Sequence, residues 1–397
     1  MTRTPVDTAR AVHRPILLGL AIGFVALNLR PALASVGPVL SDLRADLGLS
    51  GAAAAVLTAL PVVCLGVLAA TAPALARRWG MERVIAMVLG GVIAGLLVRV
   101  VAGPVLLFAG TVLVSGSIAI ANVLLPAVIK RDFAGHSGPM MGVYTMALSG
   151  SAAVAAGSTV PIGDLLGYGW RGALAAWAAP AVLALLAWLP YTRAHHPPPA
   201  AGPGGRALLR SALAWQVTLF FGLQALSFYA VLAWLPSVYR DHGYSPAAAG
   251  LLLSVSAVVQ IPVTLLLPSL VTKVHDQRML AAVATLLTAA GLAGILVAPT
   301  AVPYLWVLVL GVGQGATFAI GLTLFVVRTA DPATTASLSA MAQTAGYLVA
   351  ACGPLLFGAV HDLTGSWSAA LALLLVLTVP QLVTGVLAGR PLVLGDR

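Results

Sequence analysis

Long apolar runs, separated by short clusters of charged residues, make up nearly the whole chain. An α-helix rises about 1.5 Å per residue, so a run of about twenty apolar residues can cross the roughly 30 Å of hydrocarbon in a bilayer. The pattern therefore predicts an all-α polytopic membrane protein whose first run is a retained span and not a removed signal. Reading between the charge clusters places twelve spans at 15–40, 52–73, 84–102, 104–128, 137–163, 170–190, 213–238, 247–270, 279–298, 302–327, 335–359 and 367–388.

Composition supports the same class. Hydrophobic residues make up 60% of the 397 residues and charged residues 8%, with a mean hydropathy of +1.01. About a quarter of the residues in a soluble globular domain are charged, so this chain is far outside that class. Both cysteines, Cys64 and Cys352, lie in apolar runs and predict small buried residues instead of a disulfide or metal framework. No catalytic or cofactor motif stands out, so we expect neither an enzyme nor a cofactor.

Basic residues are distributed unevenly between the two sides of the predicted spans. The two terminal tails and alternate loops hold sixteen of them, whereas the loops of the other side hold three, Arg44, Arg171 and Arg240. By the positive-inside rule, both termini are cytoplasmic. A basic surface facing anionic lipid explains most of the net charge of +10, so no nucleic-acid partner is implied. The excess of Arg over Lys is typical of a GC-rich bacterial genome and predicts a bacterial inner membrane.

The spans form two similar groups of six. GLSGAAAAVL at residue 48 aligns with GYSPAAAGLL at residue 243, and the same offset of 195 relates the basic residues of two later loops. A constant offset favours duplication. The Pro- and Gly-rich stretch between the groups predicts a linker. For its two adjacent histidines, His195 and His196, we favour a solvated pair over a metal site. The predicted units are an N-terminal tail (1–14), a six-helix bundle (15–190), a cytoplasmic linker (191–212), a second bundle (213–388) and a C-terminal tail (389–397).

Seven ordered motifs identify a resemblance. They are NLRPALASVGPVL, NVLLPAVIKRDF, MGVYTMAL, FFGLQALSFYAVLAWLP, GQGATF, AQTAGYLVAACGP and HDLTGSW. From about residue 16 to 390, the chain resembles the major facilitator superfamily and, within it, the cyanate and 2-nitroimidazole transporter family. The resemblance implies two pseudo-symmetric six-helix bundles and transport of a small molecule across the bilayer by alternating access. The resemblance does not specify the substrate. We also expect the protein to be a monomer.

One loop departs from the superfamily pattern. Between spans 2 and 3 the superfamily usually has Asp-Arg, but Arg77 stands where the Asp would be. In the superfamily, that Asp is assigned the role of locking the two bundles together. Here Glu82, or Asp276 in the matching loop, would take this role. The charged gating candidates in these two loops are Arg78, Arg83, Lys273, Asp276 and Arg278. Span 5 also lacks the Gly-Pro pair of the family's exchangers, which gives an efflux antiporter little support.

Two arginines lie inside predicted spans. Arg30 is about 22 Å along span 1 from its start. A central arginine costs about 2.5–3.5 kcal/mol even on a mild insertion scale, so it should face water or a partner. It is either a clamp for a substrate anion, because a guanidinium offers paired donors, or a structural residue bonded to carbonyls freed by Pro31 or Pro38. We favour the clamp. Arg99 is near the outer end of span 3, where a substrate role and snorkelling are equally supported.

The remaining polar residues point to an anionic solute. All eleven carboxylates fall in tails, loops or span ends, and no histidine lies mid-span, so the fixed charges of a central cavity would be positive. Uncharged donors could complete the site, although each one could equally be an ordinary interhelical hydrogen bond. The candidate substrate-binding residues are Arg30, Arg99, Asn122, Tyr144, Gln224, Gln314, Gln343 and Tyr347.

These residues favour a secondary active or facilitative transporter of a small anion, with Arg30 as the main binding residue. An exporter of weakly acidic or aromatic compounds such as nitroimidazoles is the alternative. A passive channel and a non-transporting receptor fit less well, because the halves are duplicated and no soluble domain is apparent.

Overall fold

The computed structural model describes residues 5–101, 103–193 and 205–394. Within these ranges twelve helices are long and apolar enough to cross a membrane, which confirms the predicted all-α fold class. They are α1 (Ile16–Leu47), α2 (Gly51–Ala69), α3 (Met81–Val98), α4 (Gly103–Asp132), α5 (Ser137–Leu166), α6 (Gly169–Arg193), α7 (Ala212–Asp241), α8 (Pro246–Lys273), α9 (Arg278–Val297), α10 (Pro303–Val327), α11 (Pro332–Thr364) and α12 (Trp367–Ala388). Two short helices, Ala72–Trp79 and Gly205–Leu209, precede α3 and α7.

Several helices extend beyond the spans predicted from the charge pattern. The largest difference is in α1, which was expected to end at residue 40 but continues to Leu47. Its last segment contains Asp42, Arg44 and Asp46, so the helix continues where the apolar pattern has already stopped. At its other end the helix begins at Pro5, inside the predicted tail. The histidine pair of the linker, His195 and His196, lies outside the described residues.

Within each group, short connections make successive helices antiparallel. Lys130, near the end of α4, contacts Thr329, just beyond the end of α10, so α1 begins and α12 ends at the same end of the bundle. We call this the terminal end and the opposite one the distal end. Helices α1–α6 are the first group, and α7–α12 are the second group.

The two groups repeat the same local geometry at their first distal turn. Gly48 and Gly243 both have positive φ, 63° and 88°, which a residue without a Cβ adopts without strain. Ser50 and Ser245 then cap the next helix, each accepting a hydrogen bond from the amide three residues on, at 3.1 and 3.2 Å. These residues belong to the two segments whose sequences align, so the structure carries the same repeat.

A second repeated feature joins the first and last helix of each group at the distal end. The Trp170 indole donates to the Asp46 carboxylate at 3.0 Å in the first group. In the second group the Trp367 indole donates to Asp241. The partners differ, since Arg171 also pairs with Asp46 whereas Trp367 stacks on His361. Each group is thus closed on itself by an indole–carboxylate bond.

The buried apolar residues show where the two groups meet. One cluster spans both groups and includes Leu125 and Val128 of α4 with Leu322 and Phe325 of α10, all in the terminal halves of their helices. Toward the distal end the groups have separate clusters, one built on Leu43, Leu57, Leu107 and Leu174 and the other on Leu235, Leu252, Val307 and Leu374. The groups are therefore packed together at the terminal end and separately at the distal end.

Helices α5 and α8 make the closest approach between the groups. A Cβ on Gly142 of α5 would overlap the Leu265 carbonyl oxygen of α8, so only glycine allows the two backbones to approach this closely. Gly157 of the same helix has open space around its Cβ position and lies on an exposed face.

We expect Gly142→Ala to lower the melting temperature of the purified protein, because overpacking a tight contact costs about 1–3 kcal/mol. Gly157→Ala is the matched control and should leave the melting temperature unchanged or raise it slightly, since alanine favours a helix. Scanning fluorimetry of both variants checks this. Equal melting temperatures for the two variants would contradict the close contact.

Candidate functional site

Arg30 lies at a break in α1. The regular helix ends at Leu27, and Pro31 begins a four-residue helix that runs to Ala34. Proline has no backbone N–H, so it interrupts the hydrogen-bond ladder at the residue that carries the charge. The Arg30 side chain stays half-buried, while its neighbours on either side are buried.

The guanidinium of Arg30 faces aromatic residues. Its Nη1 donates to the Tyr229 hydroxyl at 3.3 Å, and its Cζ lies 6.0 Å from the centre of the Phe318 ring. The hydroxyls of Tyr347 and Tyr144 are close enough to interact with it electrostatically. Tyr229, Phe318 and Tyr347 belong to the second group, so the site is formed between the two groups.

The aromatic residues are held by their neighbours. Tyr347 packs edge-on against Phe221, and Tyr229 packs edge-on against Phe228, each pair with ring centres 5.4 Å apart. Edge-to-face contacts add to the energy gained by burial, so these rings hold defined positions. In the described residues no ion pair joins Arg30 to a carboxylate. Among the described residues, its guanidinium instead meets the Tyr229 hydroxyl and the Phe318 ring.

A buried polar cluster lies next to Arg30 toward the terminal end. The Tyr144 hydroxyl donates to Asn122 Oδ1 at 3.2 Å, and Gln343 Nε2 donates to the Asn122 carbonyl at 3.1 Å. The same Gln343 amide reaches Ser339 Oγ at 2.8 Å. Asn122 belongs to the first group and Gln343 to the second. This cluster, Asn122, Tyr144, Ser339 and Gln343, is the polar floor of the site.

Two other predicted binding residues are buried and incompletely hydrogen-bonded. Gln224 and Gln314 are buried, and the Gln224 Oε1 and Gln314 Nε2 atoms have no hydrogen-bond partner among the described residues. Gln314 is one helical turn from Phe318 on the same face of α10, which places it on the distal side of Arg30. Unpartnered buried amides are costly, so a ligand or water is expected to satisfy them.

Arg99 has different surroundings. It is 2% exposed, and its Nη1 donates to the Ala32 carbonyl at 2.7 Å while its Nη2 donates to Ser35 Oγ at 3.3 Å. Both acceptors belong to the broken segment of α1. Close packing of α3 on α4 positions this arginine, since a Cβ on Gly110 would lie 2.7 Å from the Arg99 amide nitrogen. Arg99 thus holds the segment that follows Arg30.

The gating candidates lie on the surface of the terminal end. Arg78 packs on the Trp79 ring at 5.1 Å, and Asp276 pairs with Arg278 of the same loop at 3.5 Å. Arg83 and Lys273 are exposed. In the described part of the chain, the side-chain partners of these residues belong to the same group of helices as the residues themselves. Whether these residues gate transport stays a prediction.

Two further charged contacts occur at the terminal end. Glu82, considered above as a substitute for the missing Asp, forms an ion pair with Arg131 at 2.6 Å within the first group. Lys130 reaches across to the second group, where its Nζ donates to the carbonyls of Val326 and Thr329 at 3.1 and 2.9 Å.

The sequence did not single out Lys130, nor did it single out Tyr229 and Phe318 beside Arg30. The one available signal was that Lys130 is one of only two lysines in the chain.

The chain is similar in sequence to known membrane transporters. Residues 16–354 match the model of the Major Facilitator Superfamily. The chain is 38% identical over 387 residues to the 2-nitroimidazole transporter of Escherichia coli (strain K12), which covers 97% of this chain and 98% of that one. It is 32% identical over 350 residues to the cyanate transport protein CynX of the same organism, covering 88% and 91%.

The protein belongs to the Major Facilitator Superfamily. The predicted resemblance to cyanate and 2-nitroimidazole transporters is therefore confirmed. The fold of the superfamily transporter FucP, solved in an outward conformation, matches with a TM-score of 0.75 at 11% identity and covers 95% of this chain and 99% of that one. The protein is accordingly a multi-pass membrane transporter of a small molecule.

Loss of the Arg99 side chain should destabilise the transporter. Arg99→Ala leaves the buried Ala32 carbonyl without its donor, which costs about 1–3 kcal/mol. We expect a lower melting temperature and expression level, with partial recovery in Arg99→Lys, which can reach one of the two acceptors. Scanning fluorimetry of the two variants measures this. An Arg99→Ala protein as stable as wild type that had lost solute binding would instead place Arg99 in the binding site.

Proposed function

We propose that this transporter carries a small, planar anion and that Arg30 recognises its charge. The observation that supports this most is the half-buried guanidinium of Arg30, which lies between the two groups of helices with no carboxylate partner among the described residues. An unneutralised arginine inside a membrane protein is costly, so it is retained where it has a function. A carboxylate or a similar anion can accept two charge-assisted hydrogen bonds from it.

The rings around Arg30 support a flat solute. Phe318 offers an aromatic face, and Tyr229, Tyr347 and Tyr144 offer hydroxyls beside the charge. A planar anion could stack on the ring while its charged end meets the guanidinium. The floor residues Asn122 and Gln343 and the unpartnered amides of Gln224 and Gln314 would supply further hydrogen bonds.

Transport would follow alternating access. The packing of the two groups at the terminal end, with separate clusters at the distal end, supports a conformation in which the site is reached from the distal side. We place both termini and the linker 191–212 in the cytoplasm of a bacterial inner membrane, because sixteen of the basic residues fall on that side. The units 15–190 and 213–388 would move against each other in a monomer, since one chain holds both.

A second candidate substrate is an uncharged or weakly acidic aromatic compound. The 38% identity to a 2-nitroimidazole transporter supports it, and so do the rings around Arg30. On this alternative Arg30 would donate to a nitro or ring acceptor, and charge would contribute less.

The Arg30 variants test the proposal. Two charge-assisted hydrogen bonds are worth about 1.5–3 kcal/mol each, so Arg30→Ala should weaken anion binding about a hundredfold or more. Arg30→Lys keeps the charge but loses the planar fork, and we expect it to bind weakly as well. Melting temperature should be largely retained in both, because the side-chain hydrogen bond at stake, to the Tyr229 hydroxyl at 3.3 Å, is long, and Arg30→Ala also removes a costly intramembrane charge. The measurement is the thermal shift of purified protein with cyanate, benzoate and 2-nitroimidazole.

The same panel separates the candidates. Benzoate and cyanate shifts that disappear in Arg30→Ala support an anion site, and a larger benzoate shift supports a planar solute. A 2-nitroimidazole shift that survives in Arg30→Ala, without any anion shift in wild type, would favour the second candidate. A stable Arg30→Ala protein that binds its anion like wild type would refute the role of Arg30.

Exchange should not depend on a proton gradient. All eleven carboxylates lie in tails, loops or helix ends, so the spans offer no acidic relay. We expect counterflow of labelled anion in proteoliposomes to continue after a protonophore is added, with both anion pools held constant. Loss of counterflow under these conditions would reveal a proton site elsewhere.

A further inference from the structure

Side-chain hydrogen bonds that cross between the two groups share an unusual type of acceptor. Apart from the bond of Arg30 to Tyr229, those in the described residues are donated by Lys130, Thr145 and Gln343. Each of these three donates to a backbone carbonyl of the opposite group. In a helix interior such carbonyls are normally occupied by the amide four residues on. The sequence around each acceptor explains why these are available.

The first acceptor is the Asn122 carbonyl of α4. Its helical donor would be residue 126, which is Pro126 and has no N–H. The freed oxygen accepts from Gln343 Nε2 of α11 at 3.1 Å, and the Tyr144 hydroxyl lies at 3.5 Å. The proline in α4 thus produces the acceptor that the floor of the site uses.

The second acceptor repeats this arrangement in the other group. The Thr264 carbonyl of α8 would be bonded by residue 268, which is Pro268. Thr145 of α5 donates to this carbonyl from its hydroxyl at 2.6 Å, and Thr145 is fully buried. The contact lies beside Gly142, where the two backbones approach most closely.

The third contact uses a helix end instead of a proline. Helix α10 ends at Val327, so its last carbonyls lack helical donors and carry the negative end of the helix dipole. Lys130 of α4 donates to two of the carbonyls there, those of Val326 and Thr329. Between them, the three contacts run from the floor of the site to the terminal surface.

We propose that Pro126 and Pro268 are gating residues, because each frees a carbonyl that latches the two groups together on the terminal side of the site. A carbonyl with no helical donor binds a partner from the opposite group while the terminal end is closed. When the groups separate, the same oxygen becomes accessible to water that enters the opening path, so the latch breaks without disrupting a helix. The inference rests on alternating access in the proposed function, but not on the identity of the solute.

Restoring the missing amide removes the latch without removing a side-chain donor. In Pro126→Ala, the amide of residue 126 can bond the Asn122 carbonyl within its own helix and compete with Gln343. An interhelical hydrogen bond in a membrane protein has a modest average energy, so we expect the fraction of molecules open at the terminal end to rise about threefold. Gln343→Leu, which removes the donor, should have the same effect.

The open fraction can be read from the alkylation rate of a cysteine at the closed interface. Ala336 is buried and lies two turns from Gln343 on the same face of α11, so Ala336→Cys, combined with Cys64→Ser and Cys352→Ser, reports opening of the terminal end. The rate is measured on purified transporter without solute, so it stays informative even if Arg30 proves not to bind an anion. Ala370→Cys, buried in the distal cluster of the second group, reports general loosening and should be unaffected.

Three comparisons decide the result. Pro126→Ala and Gln343→Leu should each raise the Ala336→Cys rate about threefold, and the double variant should be no faster than either single one, because both remove one bond. Pro380→Ala is the matched control. Pro380 is exposed on α12, and the carbonyl it frees, that of Val376, accepts no side-chain hydrogen bond in the described residues, so the rate should not change.

Thr145→Val tests the second latch while leaving both prolines in place. It removes the donor to Thr264 with little change in shape, and we expect a similar increase in rate. The proposal is overturned if Pro126→Ala does not change the rate, or if it accelerates alkylation equally in the Gln343→Leu background. In the second case the proline would act through the bend of α4, and the carbonyl would not be the latch.

Discussion

The need to keep an arginine side chain solvated inside a membrane constrains the centre of this molecule. Even on a mild insertion scale, a guanidinium deep in the membrane costs about 2.5–3.5 kcal/mol. Here Arg30 is half-buried, and its contacts include the Tyr229 hydroxyl and the Phe318 ring of the opposite group. The charge therefore lies where the two groups of helices meet and where it keeps part of its exposure. Three features accompany this need to solvate Arg30: the break in α1, the rings around the site and the separation of the distal clusters.

The two arginines at similar depth show how neighbouring contacts determine a role. Arg99 is bonded to the Ala32 carbonyl and to Ser35, and it stabilises the irregular segment that follows Pro31. The carbonyl-binding alternative considered for Arg30 thus describes the surroundings of Arg99. Arg99 holds the broken backbone of α1, and the guanidinium of Arg30 is directed at the interface between the groups.

Backbone carbonyls also join the two groups of helices. In an apolar medium a carbonyl without a donor is costly, so a proline in a spanning helix creates a group that must be satisfied by a neighbour. Pro126 and Pro268 each do so at the interface, where Gln343 and Thr145 provide the donors. The same chemistry that bends a helix can therefore define a contact between moving parts.

The sequence predicted the fold well because that fold depends on local patterns. Spans follow from apolar length, and the repeat was visible in the aligned turns whose glycines, Gly48 and Gly243, have positive φ. Arg30 stood out because a charge in an apolar run is rare. Its partner Tyr229 did not, since it is 199 residues away and resembles any aromatic residue of a spanning helix. Lys130 was missed for a different reason, because its acceptors are backbone atoms that no side-chain pattern marks.

The most direct test of the account is the position of a bound anion. A structure of the transporter with 4-bromobenzoate, whose bromine can be located by anomalous scattering, would show where the charge and the ring lie. We expect the carboxylate within hydrogen-bond distance of the Arg30 guanidinium and the ring beside Phe318. An anion bound at the exposed arginines of the terminal end, with Arg30 still bonded to Tyr229, would contradict it.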